Sequence, residues 1–316
     1  MNALIMKRKD LLGLDGVSRE EITEILDNAM MMRQIVRSNN KKTAHLQGKS
    51  IVTLFYENST RTRMSFELAS KYMSAAAANI SASASSVAKG ETLIDTGVTL
   101  DQMGTDVIII RHPMSGAPAL LAKHVRSSII NAGDGGHNHP TQTLTDLLTI
   151  SREKGGFENL TVGFCGDLKF GRTVHSLITA LSRYKGIKIV LISPEELKLP
   201  SYIKKDVLAK NNIPYEQTTD LESVMPELDI LYMTRVQRER FFNEEDYLRL
   251  KDSYILEPRK LTNAKSDLCI MHPLPRVNEI SLAVDDDPRA CYFKQVLYGK
   301  YIRMALILKL LEEAQK

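Results

Sequence analysis

Residues 50 to 73 read SIVTLFYENSTRTRMSFELASKYM. The part from Ser50 to Glu57 is mostly apolar and rich in β-branched and aromatic residues, the composition of a buried strand. Beyond Arg61, two interleaved apolar series, Met64, Leu68, Tyr72 and Phe66, Ala69, Met73, fall at helical spacing. The strand therefore gives way to a helix around Ser59, Thr60, Arg61, Thr62 and Arg63. Ser59 can serve as an N-cap, but two guanidiniums and three hydroxyls exceed what a cap needs. A helix start presents unpaired N–H groups and partial positive charge. Adding hydroxyl donors and the forked guanidinium of Arg61 makes a cradle for a phosphate group.

Working outward, the same alternation continues. Ser18 and Glu21 form a capping-box pattern ahead of a helix reaching Arg37. DVIII and SSIINAG are strand-like, GAPALLAKHV is helix-like, and PTQTLTDLLTISREK is a helix with Pro140 in its first turn. After the loop GGFENL come the strand TVGFCGD, the helix RTVHSLITALSRY, the strand IKIVLIS, a helix near Tyr202 to Lys210, and the strands DILYMT and DLCIMHP. A long helical pattern from Ala290 closes the chain, and residues 74 to 91, small and polar, read as a surface loop. Apolar strands alternating with helices imply parallel sheets covered on both faces. The expectation is an α/β fold of two doubly wound parallel-sheet domains joined by helices, with the C-terminal helix returning to the first. Residues 1–150 together with 290–316 form one domain and residues 151–289 the other, as a length of 316 residues favours.

Composition narrows the class. Hydrophobic content of 43 % and charged content of 25 % are those of an ordinary globular protein, and no apolar run could span a membrane. The N-terminal stretch lacks the order of a secretory signal, so a cytoplasmic location is expected. A formal charge of +4, spread along the chain, argues against a nucleic-acid binder and leaves room for a site that holds small anions. Cys165, Cys269 and Cys291 form no CxxC pair and read as buried thiols, with neither zinc nor a disulfide framework suggested.

In open parallel sheets, ligands bind beyond the carboxyl ends of the strands. The residues found there are Ser59 to Thr62, Arg111, His139, Arg172, Arg235 and the run His272-Pro273-Leu274-Pro275-Arg276, and carboxylates look sparse. A lone arginine at a strand end is usually solvated. Several cations brought together repel one another, which is unfavourable unless an anion is to occupy the place. No P-loop run is present, and GDLKFGR lacks the spacing of GxGxxG, so a nucleotide-dependent dehydrogenase lacks its fingerprint. His137 has no role legible in the sequence.

Taken together, FYENSTRTRMSFELA, KGETLIDT, RHP at 111 to 113, HPTQTLTDL, GDLKFGRTVHSL, YMTRVQRER and HPLPRVNEI resemble the catalytic chains of the aspartate carbamoyltransferase (aspartate transcarbamoylase) family, from about residue 50 to 280. The resemblance implies transfer of the carbamoyl group of carbamoyl phosphate to L-aspartate, giving N-carbamoyl-L-aspartate and phosphate, the committed step of pyrimidine synthesis. By motif, Ser59, Thr60, Arg61 and Thr62 would hold phosphate, with Arg111 reaching phosphate and carbonyl. His139, Gln142 and the backbone at Leu274 and Pro275 would bind the carbamoyl group. Lys89, with Ser85 as its companion, would come from a neighbouring subunit and touch both substrates. Arg172, Thr173, Arg235 and Gln237 would hold aspartate. The implied assembly is a homotrimer with shared sites, joined in some members by a separate regulatory chain. HPLP at 272 to 275, where ornithine carbamoyltransferases carry HCLP, and the RVQ element favour aspartate.

The chemistry agrees. Carbamoyl phosphate is an activated acyl donor, so attack by an amine needs orientation and charge stabilisation rather than a nucleophilic side chain. Donors from Arg61, Arg111 and His139 would stabilise the oxyanion, the departing phosphate would take the amine proton, and no metal, organic cofactor or covalent intermediate is expected. A catalytically silent binding subunit would leave some of these positions unfilled, and all are filled.

Overall fold

The computed structural model describes residues 9–81, 90–238 and 243–314. They form two compact units, Met1–Thr145 with Leu297–Lys316 and Asp146–Val296. In the first, the chain runs α1 (Arg19–Arg37), β1 (Ser50–Phe55), α2 (Thr60–Tyr72), β2 (Ala76–Ser81), α3 (Leu93–Gln102), β3 (Val107–His112), α4 (Ala117–Ala122), β4 (Ser128–Asp134) and the start of α5 (Pro140–Lys154). The capping box of α1 is present: the Glu21 N–H donates to Ser18 Oγ at 3.1 Å and the Ser18 N–H to Glu21 Oε2 at 2.8 Å.

All pairs in this sheet are parallel and the strand order is β2-β1-β3-β4. Val52, Leu54, Ile108, Ile110 and Ile129 pack with Leu100, Leu121 and Val125 in one core cluster. The chain leaves β1 in one direction to make β2, then returns to the other side of β1 to make β3. The carboxyl ends of β1 and β3 therefore flank a switch point, where helices on opposite faces leave a crevice. Phe55 is the register partner of Arg111, and the Tyr56 N–H donates to Arg111 O at 2.8 Å.

The second unit contains β5 (Thr161–Cys165), α6 (Arg172–Leu181), β6 (Lys188–Ile192), α7 (Ser201–Ile203), β7 (Tyr215–Thr218), α8 (Leu221–Val224), β8 (Ile230–Met233), α9 (Glu244–Leu250) and β9 (Cys269–Met271). Its parallel sheet has the order β7-β6-β5-β8-β9, and its switch point lies between β5 and β8, where Cys165 and Met233 are partners. The closing helix α10 (Tyr292–Ala314) returns to the first unit from Leu297 onward. No helix among the described residues is long and apolar enough to cross a membrane.

Residues 76–81, read from the sequence as part of a loop, are a strand. Among the described residues β2 is an edge strand paired with β1 alone, from Ser50↔Ala76 to Phe55↔Ser81, and its small, partly exposed side chains carry no buried-strand signature. The edge strand β7, with polar and half-exposed side chains, carries no such signature either. The helix read near 202–210 is α7 followed by a π-type turn over Lys204–Ala209.

Asp101, at the end of α3, anchors the segment entering β4. It accepts hydrogen bonds from the N–H groups of Arg126 and Ser127, from Ser127 Oγ and from Arg126 Nε. Burial pushes its carboxyl up, but these donors outweigh that and leave it below its ordinary value of 3.8. A carboxyl depressed in the fold contributes stability above the ordinary carboxylate range, lost as the pH falls through its folded value. Asp101→Ala should cost about 3 kcal/mol near neutral pH. Urea denaturation should show that deficit shrinking in acid; a pH-independent deficit would contradict the assignment.

Candidate active site

The first unit places three candidate groups on neighbouring strand ends. Ser59 precedes α2 in extended conformation (φ −157°, ψ 94°) and its side chain makes no capping hydrogen bond, so its hydroxyl is not spent on closing the helix. Thr60 and Arg61 follow on the first turn and are exposed, while Thr62 is buried. Arg111, at the end of β3, is held from both sides: Nη1 donates to Ala132 O at 3.2 Å, and Nε lies 3.2 Å from Glu57 Oε2.

His139 leads into α5 and is buried. Its Nδ1 accepts the Gln142 N–H at 3.3 Å and lies 3.4 Å from Thr141 Oγ1. An acceptor Nδ1 puts the proton of a neutral ring on Nε2, which is then a hydrogen-bond donor. His112, next to Arg111, is fixed in the same sense: its Nδ1 accepts the Met114 N–H at 3.0 Å, and burial holds its pKa below the ordinary value. A neutral histidine adds no charge beside Arg111.

The second unit gathers the remaining groups at its own switch point. Arg172 and Thr173 open α6 after β5, and Arg235 and Gln237 follow β8. Gly166 (φ 118°) leaves β5 so close to β8 that a Cβ would stand 2.3 Å from Thr234 O, hence the glycine. Asp167 is fully buried just after it and accepts from the Phe170 N–H at 2.9 Å and from Gln237. Burial pushes its carboxyl up against those donors. Asp167 thus ties the loop before Arg172 to the loop after Arg235.

Beyond β9, Leu274 adopts φ 55° and its bond to Pro275 is cis. His272 fixes that turn: its Nδ1 accepts the Leu274 N–H at 2.7 Å and its Nε2 faces Glu279 Oε1 at 2.7 Å. Burial raises the Glu279 carboxyl, but the His272 bond and the backbone N–H of Val277 bring it below the ordinary range. Behind the turn runs a buried polar chain. Tyr232 Oη donates to Asp146 Oδ2 at 2.9 Å, Gln295 Nε2 donates to Asp146 Oδ1 at 2.6 Å, and the His272 N–H donates to Gln295 Oε1 at 3.1 Å.

The expectation that carboxylates are sparse at the strand ends needs correction. Glu57, Asp134 and Asp167 all stand there, the first balancing Arg111 and the others accepting loop N–H groups. A single Asp or Glu after a strand gives no signal of its own, although glycine beside aspartate in GDGG and CGD marks a turn that needs an acceptor. Ser85 and Lys89 lie outside the described residues, and no metal-holding group of His, Cys, Asp or Glu occurs among those described.

Comparison with known proteins defines the class. Residues 9–152 match the family model "Aspartate/ornithine carbamoyltransferase, carbamoyl-P binding domain", and residues 158–310 match the same family's "Asp/Orn binding domain". The chain belongs to the aspartate/ornithine carbamoyltransferase family, on the side of its aspartate carbamoyltransferase catalytic subunits. It is 57% identical over 304 residues to the catalytic subunit from Lachnoclostridium phytofermentans, covering 96% of this chain and 98% of that one. It is 60% identical over 308 residues to that from Clostridium acetobutylicum, covering 97% and 99%. Among solved structures, the catalytic subunit of M. jannaschii aspartate transcarbamoylase superposes with a TM-score of 0.89 at 44% identity, covering 96% and 98%. Aspartate transcarbamoylase from Trypanosoma cruzi, in complex with carbamoyl phosphate and aspartate, gives 0.90 at 36% identity, covering 96% and 97%.

Gln295→Leu would remove the acceptor of the His272 N–H and one donor to Asp146 in a buried setting, and should cost about 2 kcal/mol of stability. Chemical denaturation of the variant measures it, and an unchanged midpoint would show that the chain of bonds contributes nothing.

Proposed function

We infer that the protein performs its family's reaction, transfer of the carbamoyl group of carbamoyl phosphate to the amine of L-aspartate, the carbamoylation step of pyrimidine synthesis, with the residues described above. The observation that carries the residue assignment is the cradle at the first switch point: the start of α2 with Ser59 to Thr62, set beside Arg111 on the adjoining strand. That is a site for a dianionic phosphate. The relative from Trypanosoma cruzi has been solved with both substrates bound, which supports the same pair here.

In this reading the first unit takes carbamoyl phosphate. Ser59, Thr60, Arg61 and Thr62 hold the phosphate, Arg111 spans phosphate and carbonyl, and His139 directs its Nε2–H to the carbonyl oxygen. Gln142 and the backbone of Leu274 and Pro275 bind the carbamoyl group. The second unit takes aspartate, with Arg172 and Arg235 each gripping a carboxylate as a fork, and Thr173 and Gln237 completing the contacts. Two guanidiniums suit a dicarboxylate and not the cationic side chain of ornithine.

The aspartate amine attacks the carbonyl carbon, a C–N bond forms, and the carbonyl oxygen gains negative charge. Arg61, Arg111 and His139 stabilise that charge. The C–O bond to phosphate then breaks, and the amine proton goes to the departing phosphate. The acyl donor is already activated, so no step calls for a cofactor. Lys89 and Ser85 are proposed to reach this site from a neighbouring copy, which calls for an oligomer, and the family resemblance makes that a homotrimer, joined in some members by a separate regulatory chain. The work is placed in the cytoplasm, where the three buried, free cysteines stay reduced.

Two measurements check this. Purified protein given carbamoyl phosphate with aspartate should release the ureido product, and with ornithine essentially none; the reverse preference would overturn the specificity argument. Arg61→Ala should lower kcat by roughly 10²- to 10³-fold, the usual cost of one oxyanion donor, with the oligomer mass unchanged by sedimentation. Activity near the parent level would remove Arg61 from the mechanism.

A further inference from the structure

His137, to which the reaction gives no part, leads to a different carboxylate. Its Nδ1 lies 3.0 Å from Asp134 Oδ2, and its ring is largely exposed, with side-chain accessibility of 56% against 3% for Asp134. Asp134 ends β4 and is the register partner of His112, the residue after Arg111. Four donors meet its carboxylate. Oδ2 accepts from the Gly116 N–H at 2.9 Å and from His137; Oδ1 accepts from Asn131 Nδ2 at 3.0 Å and from the Asn138 N–H at 3.0 Å.

Three of these donors come from two loops, and the fourth, Asn131, from β4 itself. Gly116 belongs to the turn that follows Arg111 and His112 at the end of β3, whereas His137 and Asn138 belong to the turn between β4 and His139. The turns also touch directly: the Gly135 N–H donates to His112 O at 2.9 Å. Gly135 has φ 56°, and a Cβ there would stand 2.5 Å from Pro113 O, so only glycine permits the approach. Burial raises the Asp134 carboxyl, but the donors around it, Asn131 first, hold it below its ordinary value and keep it an anion. His137 is the donor through Nδ1, since the Asp134 carboxylate can only accept; Asn138 Nδ2 lies 3.3 Å from both ring nitrogens.

We propose that Asp134 is a positioning residue for carbamoyl transfer, one buried carboxylate that sets Arg111 and His139 at a fixed separation, with His137 as its solvent-side clamp. It touches neither substrate. Its effect is to make the two oxyanion donors move as one body, so that neither rearranges when charge develops on the carbonyl oxygen. This rests on the roles given above to Arg111 and His139. The four donors to Asp134 lie outside Ser59 to Thr62, so Arg111 is the part of the phosphate cradle that the clamp reaches, and the hydroxyls and N–H groups at the start of α2 remain to hold phosphate.

The test compares turnover with phosphate binding in the full-length protein. Asp134→Asn keeps the shape but turns an amide donor toward donors, and should lower kcat roughly 100-fold, as a displacement of about 1 Å does. Competitive inhibition by inorganic phosphate should weaken far less. An unchanged kcat, or a loss of phosphate binding in proportion to kcat, overturns the proposal. His137→Ala, at an exposed position that folding tolerates, should lower kcat about fivefold, and His137→Asn, whose amide can replace the Nδ1–H, should restore it to within about twofold. If His137→Ala equals the parent, or His137→Asn fails to rescue, the clamp is not what orders the donors. Absence of carbamoyl transfer by the parent protein would instead defeat the underlying functional reading, so the two failures are distinguishable.

Discussion

Each sheet reverses its strand order once, and that reversal decides where charge can be held. In the first unit β3 is laid on the opposite side of β1 from β2; in the second, β8 is laid on the opposite side of β5 from β6. At such a point the flanking connections part, and the loops leaving two adjacent strands face a shared opening. Ser59 to Thr62 and Arg111 stand at the first, and Arg172 and Arg235 at the second. The apolar strands Val107–His112 and Ser128–Asp134, almost wholly buried, make the platform on which these groups are aimed. Rigid strands behind short loops hold donors in place at no reorganisation cost when charge develops.

Cations at such openings must be tolerable without ligand. The structure meets this with carboxylates turned toward the loops and with neutral histidines. Glu57 lies beside Arg111, and His112 and His139 each spend Nδ1 as an acceptor, leaving neutral rings that donate through Nε2. Asp134 and Asp167, both buried, accept backbone N–H groups and draw neighbouring loops together. The result is positive potential toward the ligand side and compensated charge behind it, so that an anionic substrate completes the balance.

Much of this was legible in the residues. The apolar strands, their alternation with helices and the basic groups at the strand ends follow from patterns of two or three residue types. What was not legible depended on tertiary neighbours. β2 hides because alanine, asparagine and serine at a sheet edge bury little. The hubs Asp134, Asp146 and Asp167 hide because a lone acid among 38 reveals nothing until its donors, which lie in several elements, are brought to it. His137 was visible as a residue without a purpose; only the Asp134 carboxylate beside it supplies one.

The central claim is that the β1–β3 switch point is where phosphate binds and the carbamoyl group is activated. A crystal structure with carbamoyl phosphate soaked in tests it most directly. The account predicts phosphate oxygens within about 3 Å of the Ser59 and Thr60 hydroxyls, the first N–H groups of α2 and the Arg61 guanidinium, with the carbonyl oxygen facing His139 Nε2. Density for the ligand elsewhere, with these groups unchanged and solvated, would contradict it.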